Sequence, residues 1–274
     1  MPAFASIAPD KLARLIGTAK SPIIIDVREA EALDADQRLI PASVHLPYAN
    51  AEQWAAGYRG KPVAVSCQRG KKLAEGAAAW LRHYGAEAEV VEGGFEAWRD
   101  AGLPLVPLSA MPPRNAAGST VWVTRSRPKI DRIACPWLIR RFVDPGAVFL
   151  FVAPAEVQAV AERFAGTPFD IEGVYWSHRG ELCTFDVMVT EFGLKSEALD
   201  RLAAIVRGAD TGRFDLAPEA AGLLAVSLGL SRMFADDLEQ LDAGMLVYDG
   251  FYRWSRDATE EVHNWPASGG KATK

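Results

Sequence analysis

Two parts in series are what this sequence predicts: an α/β domain whose parallel sheet is flanked by helices, then a second, α-rich domain of mixed α+β type. Three observations carry that expectation. Apolar, β-branched runs such as PVAVS (62–66) alternate with stretches of helical spacing through the first part, the pattern of strands joined by crossover helices. The stretch PLSAMPPRNAAGS (107–119) is rich in Pro, Ala and Ser and has no periodicity, which marks a linker. Beyond it, helical patterns outnumber strand patterns. A chain of 274 residues suits two domains of ordinary size, placed here at 6–107 and 120–265 with 108–119 between them.

The elements follow in order. Ala8-Pro9-Asp10 opens a helix over 8–20, with Leu12, Leu15 and Ile16 on one face. SPIIIDVRE is a buried strand ending at Asp26, and KPVAVSC (61–67) is another. A helix follows over 73–84, then AEVVEGGF as strand plus turn, then a short helix around Trp98. In the second part VWVTRSR reads as a strand, and 154–164 and 196–208 as helices. GVYWSHRGELCTFDVMV reads as a hairpin turning at Arg179-Gly180. A small-residue helix covers 218–233, and Leu238, Leu241, Met245, Tyr248 and Tyr252 mark an amphipathic helix. Asp210, Asp236 and Asp237 fall at helix boundaries as caps, and HNWPASGGKATK is a polar tail.

Composition bounds the function. With 49% hydrophobic residues each part can build a core. A net charge of −5 gives no reason to expect nucleic acid or an anionic membrane as partner. Charge is uneven, however: Arg125, Arg127, Lys129, Arg132, Arg140 and Arg141 face only Asp131 within 120–141. Such a local cluster suits a small anion better than a polyanion. Cys67, Cys135 and Cys183 lie far apart with no CxxC pair, so free thiols in a reducing compartment are expected. No run approaches the ~18 apolar residues of a membrane span, and the N-terminus has no secretory pattern. A cytoplasmic protein is the expectation.

Cys67-Gln68-Arg69-Gly70-Lys71-Lys72 follows a buried strand and precedes a helix. Backbone N–H groups of a tight loop at a helix N-terminus form an anion-binding nest. A thiolate at its centre is stabilised, with Lys71 and Lys72 adding to the effect and Gly70 supplying backbone freedom. Taken alone, the pattern also fits a buried, inert cysteine. Its chemistry, if reactive, is attack by a thiolate on an activated sulfur, storing it as a persulfide. With IIDVRE upstream, Ile40-Pro41-Ala42 between and GGFEAWRDAGLPL (93–105) closing the domain, residues 6–107 resemble a single-domain rhodanese, a thiosulfate sulfurtransferase-like fold. That resemblance implies Cys67 as nucleophile, the loop from Gln68 to Lys72 as substrate-binding, and Asp26 and Arg28 as supports. It implies thiosulfate as a sulfur donor, a thiol or cyanide as acceptor, and no cofactor. Two positions depart from the family pattern: Arg38-Leu39 stands for the usual Gly-His, and Leu73 for a Ser or Thr. The related cysteine phosphatases need Arg at the sixth place after Cys, where this chain has Leu73.

In the second part, an extended 121–127 would put Arg125 and Arg127 on one face. The following helix starts at Asp131 or Cys135; Pro136 favours the later start or a kink. Arg125, Arg127, Lys129 and Arg132 then form an oxyanion receptor, unless they are solvated surface charges. On the expected hairpin, His178, Glu181 and Cys183 share a face and could hold a transition metal, with His263 or Asp210 as a fourth donor; a core cysteine and a surface histidine are the alternative. The strings TRSRPKIDRIACPWLIRRFVDP, FDIEGVYWSHRGELCTFD, IVRGADT and DLAPEAAGLLAVSLGLSR closely resemble the C-terminal domain of chromate-resistance proteins of the ChrB type, over about 120–265. That resemblance implies a role in chromate resistance or sensing, with chromate as a small-molecule partner. The functional expectation is sulfur transfer through a Cys67 persulfide linked to chromate resistance. The rival is a non-catalytic redox or oxyanion sensor or regulator.

Overall fold

A computed structural model of the chain describes residues 5–261. In the first part β1 (Ser6–Ile7), α1 (Pro9–Leu15), β2 (Ile23–Asp26), α2 (Ala30–Ala35), β3 (Arg38–Leu39) and β4 (Ser43–His45) lead to α3 (Ala51–Ala55). Then come β5 (Pro62–Ser66), α4 (Lys72–His83), β6 (Glu87–Val91), α5 (Gly94–Asp100) and β7 (Val106–Pro107). The second part has β8 (Val121–Arg125), α6 (Asp131–Leu138), β9 (Val148–Val152), α7 (Val157–Arg163), β10 (Thr167–Pro168) and α8 (Thr184–Glu191). It closes with α9 (Glu197–Thr211), α10 (Ala220–Met233) and α11 (Asp237–Asp257).

The main sheet is parallel throughout, in the order β1-β6-β5-β2-β4. Its strands are apolar on both faces, as a sheet covered on both sides requires. Ile24 and Ala64 face one core, while Ile25, Val63 and Val65 face the other, the two-residue period of a strand. β2 and β5 run in register, Asp26 beside Ser66. Both strands therefore end at one edge, which brings Asp26 alongside the start of the Cys67 loop and puts the chemistry at strand C-termini. A second parallel sheet, β10-β8-β9, and the helices α6, α8, α9 and α11 surround Trp122 and Trp137.

One apolar core crosses from the first part into the second. Ile16, Ile24, Phe95 and Trp98 belong to the same cluster as Trp137, Phe142 and Tyr252. The Ala42 N–H donates to the Phe142 carbonyl at 2.6 Å, and Arg256 donates to the Arg14 carbonyl at 3.0 Å. Residues 107–119 are ordered by local means: β7 pairs with β3, and the Asn115 side chain accepts from the N–H groups of Ala117 and Ser119.

One local expectation is corrected and one open alternative is decided. The hairpin expected over 173–189 shrinks to a tight turn, in which Arg179 and Leu182 exchange backbone hydrogen bonds, followed by α8. Cys183 sits extended at its N-cap and the Asp186 carboxylate accepts the Cys183 N–H at 3.0 Å, a reciprocal cap that starts a helix where TFDVMV alone reads as alternating. Of the two starts open to the helix containing Pro136, the structure takes Asp131, the one that Pro136 disfavours. Ile130, with φ 42°, breaks the chain before it. Pro136 lies inside α6, where it removes one helical donor, and the helix runs on as one wide π turn over Ile139–Val143. No helix among the described residues is long and apolar enough to cross a membrane.

Candidate functional site

Cys67 directly follows β5, and its loop leads into α4. It is buried, with its sulfur 4.0 Å from the Lys71 carbonyl oxygen. The loop's carbonyls are spent on α5: that of Cys67 accepts the Phe95 N–H at 2.9 Å, and that of Gln68 the Glu96 N–H at 3.0 Å. Among the described residues, the N–H groups of Gln68, Arg69, Gly70 and Lys71 donate to no protein acceptor. Unspent donors leading into a twelve-residue helix are what a thiolate or a bound oxyanion requires.

The loop is held from one side by Glu96, whose carboxylate takes Gln68 Nε2 at 3.0 Å and Arg69 Nε at 3.1 Å. The Gln68 hydrogen bond, with Arg69 behind it, holds Glu96 below the usual carboxylate range. The side chains of Gln68 and Arg69 are thus occupied in positioning, and the exposed Lys71 and Lys72 form no ion pair among the described residues. Gly70 has φ 60°, and a Cβ there would lie 2.8 Å from the Gly94 nitrogen. Only glycine fits that left-handed, backbone-on-backbone position.

From below, the site rests on Asp26 and Arg28. Asp26 accepts the Arg28 backbone N–H at 2.9 Å and its Nε at 2.8 Å. Burial pushes the Asp26 carboxyl up, against the pull of the Arg28 charge. Arg28 also donates to the carbonyls of Asp36 and Arg38 and stacks 3.8 Å over the Phe95 ring. With 1% of its surface exposed, Arg28 holds chain segments together and offers nothing to a substrate. The departure at Arg38 is absorbed here: its carbonyl serves Arg28 while its side chain pairs with Asp36 on the surface.

The second part gathers the expected residues differently. Arg125 and Arg132 do converge, but on a carboxylate: Arg125 reaches Asp170 at 3.0 Å and Arg132 reaches it at 3.3 Å. Arg127 leaves the group. The strand ends at Arg125 and Arg127 has φ 57°, so the shared strand face does not exist. Its guanidinium caps the end of α10 at the carbonyls of Ser231 and Phe234. Lys129 is half-buried and forms no ion pair among the described residues. The oxyanion receptor expected from Arg125, Arg127, Lys129 and Arg132 is therefore replaced by a mixed-charge centre built on Asp170.

The metal set is redrawn as well. Glu181 is exposed and pairs with Arg213. Cys183 is fully buried, donates its thiol to Asp186 at 3.1 Å, and burial pushes that thiol well up. His178 turns away from both. Its Nε2 lies 3.4 Å from Asp131, 3.6 Å from Asp170 and 3.2 Å from Asp210. The hydrogen bond to Asp131, then that to Asp170, pushes His178 up to about 10. Burial, then the charges of Asp131 and Asp170, raises Asp210 to about 7. Asp131 is fully buried and accepts the Thr184 and Phe185 N–H groups at the start of α8. Of the two fourth donors expected, Asp210 is here; His263 lies outside the described residues. Asp131 and Asp170 were missed because no local spacing links them: they come from a helix start and a loop far apart in sequence.

Comparison with known proteins gives two separate matches. The model of the rhodanese-like domain matches residues 8–101, and that of the ChrB C-terminal domain matches 122–255. Thiosulfate sulfurtransferase GlpE of Pseudomonas savastanoi pv. phaseolicola is 34% identical over 101 residues, 36% of this chain and 91% of that protein. Protein ChrB of Cupriavidus metallidurans is 33% identical over 168 residues, 57% of this chain; the chain spans half of that relative's length. A rhodanese-related protein of known structure from Thermoplasma volcanium is 30% identical, covering 38% of this chain and 98% of that one, with a TM-score of 0.33. Through its first part the chain belongs to the rhodanese-like family, and its second part matches the model of the ChrB C-terminal domain.

Proposed function

We propose that the protein is a sulfurtransferase working through a persulfide on Cys67, and that its sulfur chemistry serves chromate resistance. The observation that carries the reading is the Cys67 loop itself: a cysteine at a strand C-terminus, beside unspent backbone donors and two exposed lysines. The Cys67 thiolate attacks the outer sulfur of thiosulfate. The sulfur–sulfur bond breaks, sulfite leaves with the bonding electrons, and the outer sulfur stays on Cys67. A thiolate or cyanide then takes that sulfur and returns Cys67 to its thiolate, so no external oxidant or reductant is consumed. Loop N–H groups and the α4 N-terminus stabilise the anionic sulfur and the leaving sulfite.

Likeness to a named thiosulfate sulfurtransferase over most of that protein's length supports the reaction class. The match to the ChrB C-terminal domain supports the link to chromate. Thiocyanate formation from thiosulfate and cyanide by the purified chain tests the reading. Turnover is expected in the wild type and absent in Cys67→Ser. Chromate bound without turnover by the wild type would instead make the chain a sensor.

A further inference from the structure

The second part holds a cluster that the sulfur chemistry does not use. Three carboxylates from separate places, Asp131 at the start of α6, Asp170 after β10 and Asp210 near the end of α9, each point one oxygen at the same atom, Nε2 of His178. Asp131, Asp170 and His178 place their ligand atoms within 4.8 Å of one another. Asp131 and Asp170 are buried while His178 is 41% exposed on its side chain, so the group opens to solvent on one side.

The hydrogen bonds to Asp131 and Asp170 do not satisfy the whole of this geometry. An imidazole nitrogen carries one hydrogen, and one hydrogen serves one good acceptor; here three anionic oxygens face it. None is at the ~2.7–2.9 Å of a charge-assisted bond. The separations of 3.4 Å to Asp131 and 3.6 Å to Asp170 suit a nitrogen and two oxygens that share an ion. Donors held ~2.0–2.2 Å from a shared ion at tetrahedral angles stand ~3.3–3.6 Å apart. The charge sum agrees: Arg125 and Arg132 both pair with Asp170, which leaves Asp131 and Asp210 to be neutralised at His178.

We propose that Asp131, Asp170 and His178 form a binding site for a first-row divalent transition-metal ion, of the Mn(II) or Zn(II) kind, with Asp210 beside His178 at its rim. One imidazole among carboxylate oxygens favours such ions over Ca(II) or Mg(II), which prefer oxygen alone. The imidazole binds as its neutral form and releases its proton to solvent. The site is independent of Cys67, and neither of the other two expected ligands, Glu181 and Cys183, takes part.

The test uses the full chain, stripped with a chelator and titrated with Mn(II) while free ion is read by electron paramagnetic resonance, and with Zn(II) by calorimetry. One equivalent is expected to bind. His178→Gln is expected to weaken binding by at least ~10-fold and Asp210→Asn, beside the ligand set, by less; neither removes the Asp131 cap on α8. Circular dichroism and the thiocyanate assay confirm that the variants are folded, since neither residue touches the Cys67 loop. Less than about a tenth of an equivalent bound by folded wild type, or equal affinity in folded His178→Gln, would overturn the site and leave the cluster a set of salt bridges.

Discussion

Gly94 presses its backbone into the cysteine loop: a Cβ on it would overlap both the Gly70 nitrogen and the Cys67 carbonyl oxygen. The two glycines, at φ 60° and 61°, let α5 approach closely enough to take up the loop's carbonyls. Gly94→Ala should therefore cost ~1–3 kcal/mol for the left-handed backbone alone, with the overlap in addition. Urea denaturation gives the stability loss, and the thiocyanate assay should show a drop larger than the unfolded fraction explains. An unchanged denaturation midpoint would show that the loop tolerates displacement.

The buried Arg28–Asp26 pair predicts a second, larger effect. Both side chains are within 2% of fully buried, so removing the arginine strands a carboxylate. Arg28→Ala is expected to lose ~3–5 kcal/mol. Arg28→Lys keeps the charge but loses the fork that reaches Asp26, Asp36 and Arg38 together, and should recover only part of the loss. Equal stability in Lys and Arg forms would mean that charge alone matters there.

Much of the first part was legible from its sequence for physical reasons. PIIID and PVAVS carry the continuous apolar pattern of strands buried on both faces, and Cys67 to Lys72 is a contiguous motif. The second part was less legible because its polar centre is tertiary. Asp131 caps a helix distant in sequence, and Asp170 meets Arg125, Arg132 and His178 only after folding. The TFDVMV segment alternates like a strand, yet the local cap between Cys183 and Asp186 decides for helix. Arg127 was grouped with Arg125 on strand periodicity, which its left-handed backbone breaks.

The chelator-treated protein should lose stability as pH rises above neutral. Unfolded Asp and His titrate near ~3.9 and ~6.5, whereas Asp210 is raised to about 7 and His178 to about 10 in the fold. The native state therefore binds more protons than the unfolded one across this range, and stability falls with pH. Asp210's contribution fades as pH climbs to about 7, and His178's between ~6.5 and about 10. Urea midpoints measured across that window should decline in wild type and flatten in His178→Gln. A rising midpoint would contradict the assignment.

The shared core predicts that the two parts unfold together. Gly17, at φ 78°, sits where a Cβ would lie 2.6 Å from the Tyr252 ring and overlap Phe142. Gly17→Ala should therefore lower the melting temperature of the whole chain in a single transition, read alike by tryptophan fluorescence and far-ultraviolet circular dichroism. Two separated transitions would show that the parts fold independently.

The central claim is that Cys67 carries the sulfur. Intact-protein mass spectrometry after brief exposure to thiosulfate, without any acceptor, tests it most directly. The account predicts a wild-type species heavier by one sulfur atom, localised to the Cys67 peptide, lost on adding cyanide and never formed by Cys67→Ser. Cys135 and Cys183, both fully buried with thiols pushed well up, should stay unmodified. A sulfur adduct on either of those residues, or an unmodified Cys67 in folded protein, would contradict it.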